Sequence, residues 1–158
     1  MNNHAEELIE RFALQKHPEG GWFSEVFETS FQKDKRAMEG SIYFLLNQDE
    51  ISHFHVIDCD EIWYYHEGCG MNVLCIDPDG KFHNEKLGMC IEKGEQPMVV
   101  IRAGTVFAAE NKDQDGYTFV SCATTPQFTY EGFHLCTEDE LMNQYPDLAQ
   151  IIRKYCIR

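Results

Sequence analysis

The side chains best equipped for chemistry stand together in the run Ser52-His53-Phe54-His55-Val56-Ile57-Asp58-Cys59-Asp60-Glu61-Ile62-Trp63-Tyr64-Tyr65-His66-Glu67-Gly68. Alternate residues of a β-strand point to the same face. The spacing therefore predicts that His53 and His55 project together. After a turn at Asp58-Cys59-Asp60, Glu61, Trp63 and Tyr65 share one face of the next strand. Two imidazoles and one carboxylate converging in this way make a 2-His-1-carboxylate set, His53, His55 and Glu61. Such a set suits a divalent metal (Fe, Mn, Ni or Zn) and leaves positions open for a substrate. Without a metal the same residues permit proton transfer. His55 then acts as base, Glu61 fixes its tautomer and raises its basicity, and Tyr65 supplies a proton to an enolate oxygen, an epimerase or isomerase arrangement. A ligand-binding or sensor module without turnover is the third reading. His53, Trp63, Phe107 and Phe128 are the expected ligand-binding residues, with rings that can stack on a sugar or heterocycle in the mouth of a barrel.

The remaining titratable residues are assigned plainer roles. His17-Pro18-Glu19-Gly20-Gly21 reads mainly as a turn, its two glycines serving backbone conformation. His4, His83 and Glu67 read as solvated surface. His66 alternates away from Tyr65 and falls outside a barrel. His134 has no partner identifiable from spacing.

Short runs rich in aromatic and β-branched residues must position these groups. They predict strands near 22–28, 41–46, 51–56, 61–67, 71–77, 81–87, 97–102, 105–109, 117–124 and 128–135. Asp77-Pro78-Asp79-Gly80 is a turn by composition. A helix is expected over 5–14, where Leu8, Ile9, Phe12 and Ala13 form one stripe. Thr137 with Glu140 three residues later is a capping-box signature, and Leu148, Ile151, Ile152 and Tyr155 extend a helical pattern, giving a flank over 138–156. The expectation is an all-β single domain over 1–158, an antiparallel barrel over about 20–135 with short N- and C-terminal helices. Its sheet edges must be closed or paired with a second subunit.

These motifs resemble a known superfamily. His53-x-His55, Glu61 and Gly68 resemble the first cupin motif, with a slightly longer turn before Glu61. The second motif normally reads Pro-x-Gly-x-x-His, and Arg102-Ala103-Gly104-Thr105-Val106-Phe107 takes its place, with Phe107 where the metal-binding histidine stands. A narrower resemblance is to the DUF985 cupins, also called cupin family 5. It is carried in order by His17-Pro18-Glu19-Gly20-Gly21-Trp22-Phe23-Ser24-Glu25, Asp60-Glu61-Ile62-Trp63, Asp77-Pro78-Asp79-Gly80, Leu87-Gly88 and Gln96-Pro97-Met98-Val99-Val100, over about residues 8–135. In that pattern His55 is the regular feature and His53 is not. The resemblance implies a cupin jelly-roll β-barrel, a homodimer, and a small-molecule pocket of the kind compared with sugar-nucleotide epimerases. It implies no particular reaction.

Composition sets the outer limits. The chain carries 13 Lys and Arg against 27 Asp and Glu, a formal charge of −14. That field opposes nucleic acid and anionic membranes, so the expected partner is a small molecule. The seven cysteines include no C-x-x-C pair and read as reduced, buried thiols. With no signal-peptide pattern at the N-terminus, a cytoplasmic protein is expected.

Overall fold

A computed structural model describes residues 3–157. Helix α1 (Asn3–Arg11) is followed by β1 (Gln15–Lys16), β2 (Trp22–Glu28) and a small hairpin of β3 (Gln32–Lys33) and β4 (Arg36–Ala37). Then come β5 (Gly40–Asn47), β6 (Ile51–Ile57), β7 (Asp60–Gly68), β8 (Met71–Ile76), β9 (Phe82–Leu87), β10 (Met98–Ile101), β11 (Val106–Asn111), β12 (Tyr117–Thr125) and β13 (Phe133–Leu135). Helices α2 (Glu138–Gln144) and α3 (Ala149–Tyr155) follow. Two antiparallel sheets face one another, in the orders β1-β2-β5-β12-β7-β10 and β13-β6-β11-β8-β9. No helix among the described residues is long and apolar enough to cross a membrane.

The apolar runs are continuous because both faces of several strands are covered. In β5, Phe44 and Leu46 point into the core between the sheets, beside Trp63, Val73 and Phe107. Leu45 points outward, under α1, where it meets Phe119 and Phe12. On the outer face of the second sheet, Phe54 and Ile76 pack against Leu141, Ile152 and Tyr155 of the C-terminal helices. The Asp77–Gly80 turn forms as expected, its Gly80 amide donating to the Asp77 carbonyl at 2.8 Å.

Three elements differ from expectation. The N-terminal helix stops at Arg11, because Ala13 turns left-handed at φ 51°. Residues 128–135 are strand only over Phe133–Leu135. Before it, Thr129 accepts the Gly132 amide and caps a single 3₁₀ turn. The helical pattern over 138–156 breaks in two at Pro146, which has no amide proton and keeps Tyr145 out of the helical region at φ −132°, ψ 62°. The capping box of Thr137 and Glu140 is formed.

Two local features place the functional side chains. First, β6 carries a bulge. Phe107 of β11 stands opposite His55 and Ala109 opposite Ser52, so Ala108 faces two residues of β6. An extra residue inverts the alternation from that point on, and Ser52 and His55, three apart, turn toward the same group. Second, the turn before β2 lies directly on β6. Gly20, at φ +111°, lies so close that a Cβ there would stand 2.0 Å from the Ile51 carbonyl oxygen. Only glycine tolerates both the dihedral and the approach.

Gly20→Ala should accordingly cost at least ~2 kcal/mol in urea unfolding, since backbone strain and steric overlap combine. Gly94→Ala is the control. It has a similar dihedral (φ +76°) but open space around its Cβ, and its cost should be clearly smaller. Equal losses would show that the approach to Ile51 does not constrain the turn.

Candidate functional site

The docked turn delivers Glu19 into the space between the sheets. The Glu19 carbonyl accepts the His53 amide at 2.8 Å and the His53 ring N–H, from Nδ1, at 2.7 Å. Its side chain, 6% exposed, reaches two residues of the bulged strand. The Ser52 hydroxyl donates to Oε1 at 2.8 Å, and His55 Nε2 lies 3.1 Å from Oε2. The Glu19 amide donates to His17 Nδ1 at 3.3 Å, which leaves the His17 proton on Nε2. The His17 ring is packed edge-on against Phe23, Phe128 and Phe133.

Hydrogen-bond chemistry fixes the protonation of this group. His55 Nδ1 stands 2.7 Å from the His53 carbonyl. A carbonyl only accepts, so Nδ1 carries a proton. Nε2 and Glu19 Oε2 are then held together by one proton lying between them. Burial pushes His55 down to about 4 and pushes the Glu19 carboxyl up, against the opposing influence of His17 and the Ser52 hydroxyl. Both shifts favour the neutral arrangement, with the carboxylic acid of Glu19 donating to a neutral imidazole.

Beside this pair runs a cavity of about 280 Å³. Glu61 and Trp63, two apart on β7, face it, as the alternation predicts. Glu61 is 7% exposed, and the donors beside its carboxyl are the Trp63 indole and the Cys122 thiol. Burial, reinforced by repulsion from Glu19, raises it to about 8, although the Trp63 indole and the Cys122 thiol favour its anion. The buried Trp63 indole nitrogen has no partner closer than Glu61. Phe128 lines the cavity too, together with His17, Glu19 and Tyr130.

The structure disperses the other expected site residues. His53 does not line the cavity, because the bulge turns its ring to the Glu19 carbonyl. Tyr65 packs against the core and donates its hydroxyl to the Gly68 carbonyl at 2.7 Å, away from the cavity. Phe107 is fully buried, its ring centroid 4.1 Å from that of His55. It fills the place of a ligand rather than lining it. The partner of His55 is Glu19, not Glu61, and both His55 nitrogens are engaged. The donor set His53, His55 and Glu61 therefore does not fit a metal. Among the described residues no three His, Cys, Asp or Glu side chains are grouped to hold one.

Sequence reasoning missed the central group. Glu19 and His17 read as turn residues, and Ser52 carried no signal. A glutamate between a proline and two glycines, in an aromatic segment, was the available hint. Its contacts lie 33 and 36 residues away, beyond any local periodicity.

Two sheets enclosing a cavity, with a histidine and carboxylates inside, define the class: a cupin. The family model for the cupin superfamily (DUF985) matches residues 6–136, so the chain belongs to that family. It is 30% identical over 156 residues to the uncharacterized protein YML079W of Saccharomyces cerevisiae, covering 86% of this chain and 77% of the relative. Protein SO0799 of Shewanella oneidensis is 32% identical with a TM-score of 0.92, covering 97% of both chains. A hypothetical protein from Leishmania major is 30% identical with a TM-score of 0.90, covering 98% of this chain and 99% of that one. Oxalate decarboxylase of Bacillus subtilis has a TM-score of 0.59 at 13% identity, over 89% of this chain and 36% of that one, a likeness of fold alone.

The buried groups set a pH dependence. Glu61 ionises near 4.5 when unfolded and about 8 when folded. Across that window the folded state holds the extra proton, and stability falls as pH rises. His55 acts oppositely between about 4 and 6.5, where stability rises with pH. Glu61→Gln should therefore gain stability relative to the parent as pH is raised from 6.5 to 8, by up to ~1.4 kcal/mol per pH unit in urea unfolding. Parallel curves for the two proteins would contradict the raised carboxyl. Separately, Ser52→Ala leaves a buried Glu19 oxygen unpaired and should cost ~1–3 kcal/mol by the same measurement.

Proposed function

We propose that the chain binds a small ring-containing metabolite in the cavity between its sheets and moves protons on it, as an isomerase or epimerase does. One observation carries this reading: the Glu61 carboxyl stands buried in the cavity wall, with an indole and a thiol beside it and no cationic partner among the described residues. A structural carboxyl would be tied down, because burying one unpaired is costly. A group that must exchange protons with a ligand needs to face its cavity and to titrate near working pH. Glu61, raised to about 8, meets both conditions.

Glu19 supplies the second half. Its proton is held between its own Oε2 and His55 Nε2. His55, the base expected from sequence, acts in this reading through Glu19, orienting it and accepting from it. Two carboxyls within electrostatic reach, one in the cavity wall and one tied to an imidazole, can divide the roles of base and acid. The ionised Glu61 takes a proton from a ligand carbon while Glu19 gives its acid proton to the ligand, and the Ser52 hydroxyl steadies the Glu19 carboxylate that this leaves. Trp63 and Phe128 would hold the ring and keep water out. A homodimer with no nucleic-acid partner belongs to the same reading, the latter supported by the formal charge of −14.

The test is hydrogen–deuterium exchange. Cyclic α-hydroxyketones, aldoses, ketoses and protonated nitrogen heterocycles with an acidic C–H, incubated with the protein in D₂O, should include at least one whose C–H exchanges in an NMR time course. Glu61→Gln should slow that exchange at least ~100-fold. Saturable binding of a panel member with no exchange in the wild-type protein would overturn the catalytic reading and make this a binding module. Exchange unaffected by Glu61→Gln would remove Glu61 from the chemistry.

A further inference from the structure

The charge of the cavity wall narrows what can enter. Glu19 and Glu61 line the inner part, and the exposed Glu25 and Glu28 of β2 line its opening. No lysine or arginine lines it. The remaining wall is largely aromatic, including Phe44, Trp63, Phe128 and Tyr130. A phosphate or carboxylate entering this space would pass the Glu25 and Glu28 carboxylates and find no cation at the inner pair, whose carboxyls burial holds protonated. A cation meets the reverse: carboxyl groups to pair with and ring faces whose negative quadrupoles attract it. The Glu61 carboxyl provides a direct partner, since only a neutral indole and a neutral thiol stand beside it among the described residues and a charge-assisted hydrogen bond in a buried site is stronger than either.

We propose that the ligand of this cavity is a small planar organic cation, an amidine, guanidine or protonated nitrogen heterocycle, paired with Glu61 and stacked on the aromatic wall. This names the ligand class for the site described above and rests on the reading of that site as a ligand pocket. A cavity of about 280 Å³ lies at the small end of the ~300–1,000 Å³ range of small-molecule sites, which suits one or two fused rings. The groups facing Glu61 from neighbouring elements are Glu19 from the docked turn, Cys122 from β12 and Cys59 before β7. None is cationic, so the ligand supplies the missing positive charge.

Three nearly isosteric probes test it: benzamidine (cationic), benzamide (neutral) and benzoate (anionic), with guanidinium as a smaller cation. Calorimetric titration and ligand-observed NMR on the full chain should show saturable binding of benzamidine, at least tenfold tighter than benzamide, and none of benzoate. Glu61→Gln should weaken benzamidine at least tenfold and remove most of its advantage over benzamide. The probe series in the wild-type protein stands alone if that variant does not fold. Benzoate or benzamide binding as tightly as benzamidine overturns the cation preference, as does the failure of both benzamidine and guanidinium to bind. The two readings fail separately. Glu61-dependent hydrogen–deuterium exchange without cation preference leaves the proton-transfer reading and removes this one. Cation binding without exchange does the opposite.

Discussion

The site depends on one approach of backbone to backbone. Gly20 lies so close to the Ile51 carbonyl that no side chain fits, and the neighbouring Glu19 carbonyl is held by both the amide and the ring of His53. These contacts fix where the Glu19 side chain enters the barrel. From there it reaches Ser52 and His55, which only the bulge in β6 brings to one side. A loop and a strand irregularity together do what a regular strand could not. Bulges recur beside functional sites for this reason: they re-aim side chains without dissolving the sheet.

The electrostatics follow from that placement. Two carboxyls share a buried, partly aromatic space, and Glu19 raises the cost of ionising Glu61. Glu19 is accommodated by partners, Ser52 on one oxygen and His55 on the other. Glu61 has only the Trp63 indole and the Cys122 thiol beside it among the described residues, and no imidazole. The asymmetry separates a group built into the scaffold from one turned toward the cavity. Phe107 contributes by exclusion. Its ring, against that of His55, occupies the position that would extend a metal-binding set, while the fold of a cupin is kept.

Much of the fold was legible in the sequence because its signals are local. The Asp77–Gly80 turn, the capping box at Thr137 and the alternation that puts Glu61 and Trp63 on one face of β7 all depend on neighbours a few residues apart. The grouping of His53 with His55 failed because a bulge is decided by pairing with β11, which alternation within β6 cannot register. Glu19 was missed for a related reason: its chemistry comes from partners more than thirty residues away, while its immediate neighbours describe only a turn. Pro146 was readable in principle, and the apolar stripe running past it masked its effect.

The state of the Glu19–His55 pair is the claim on which the rest stands, and ¹⁵N NMR of the histidine rings tests it most directly. The account predicts that His55 is neutral at pH 7, protonated on Nδ1 and bare on Nε2, and that its ring resists protonation until about pH 4. In Glu19→Gln the amide donates to Nε2 in place of the acid, and the tautomer should persist. An imidazolium at neutral pH, or a proton on Nε2 with Nδ1 bare, would contradict it.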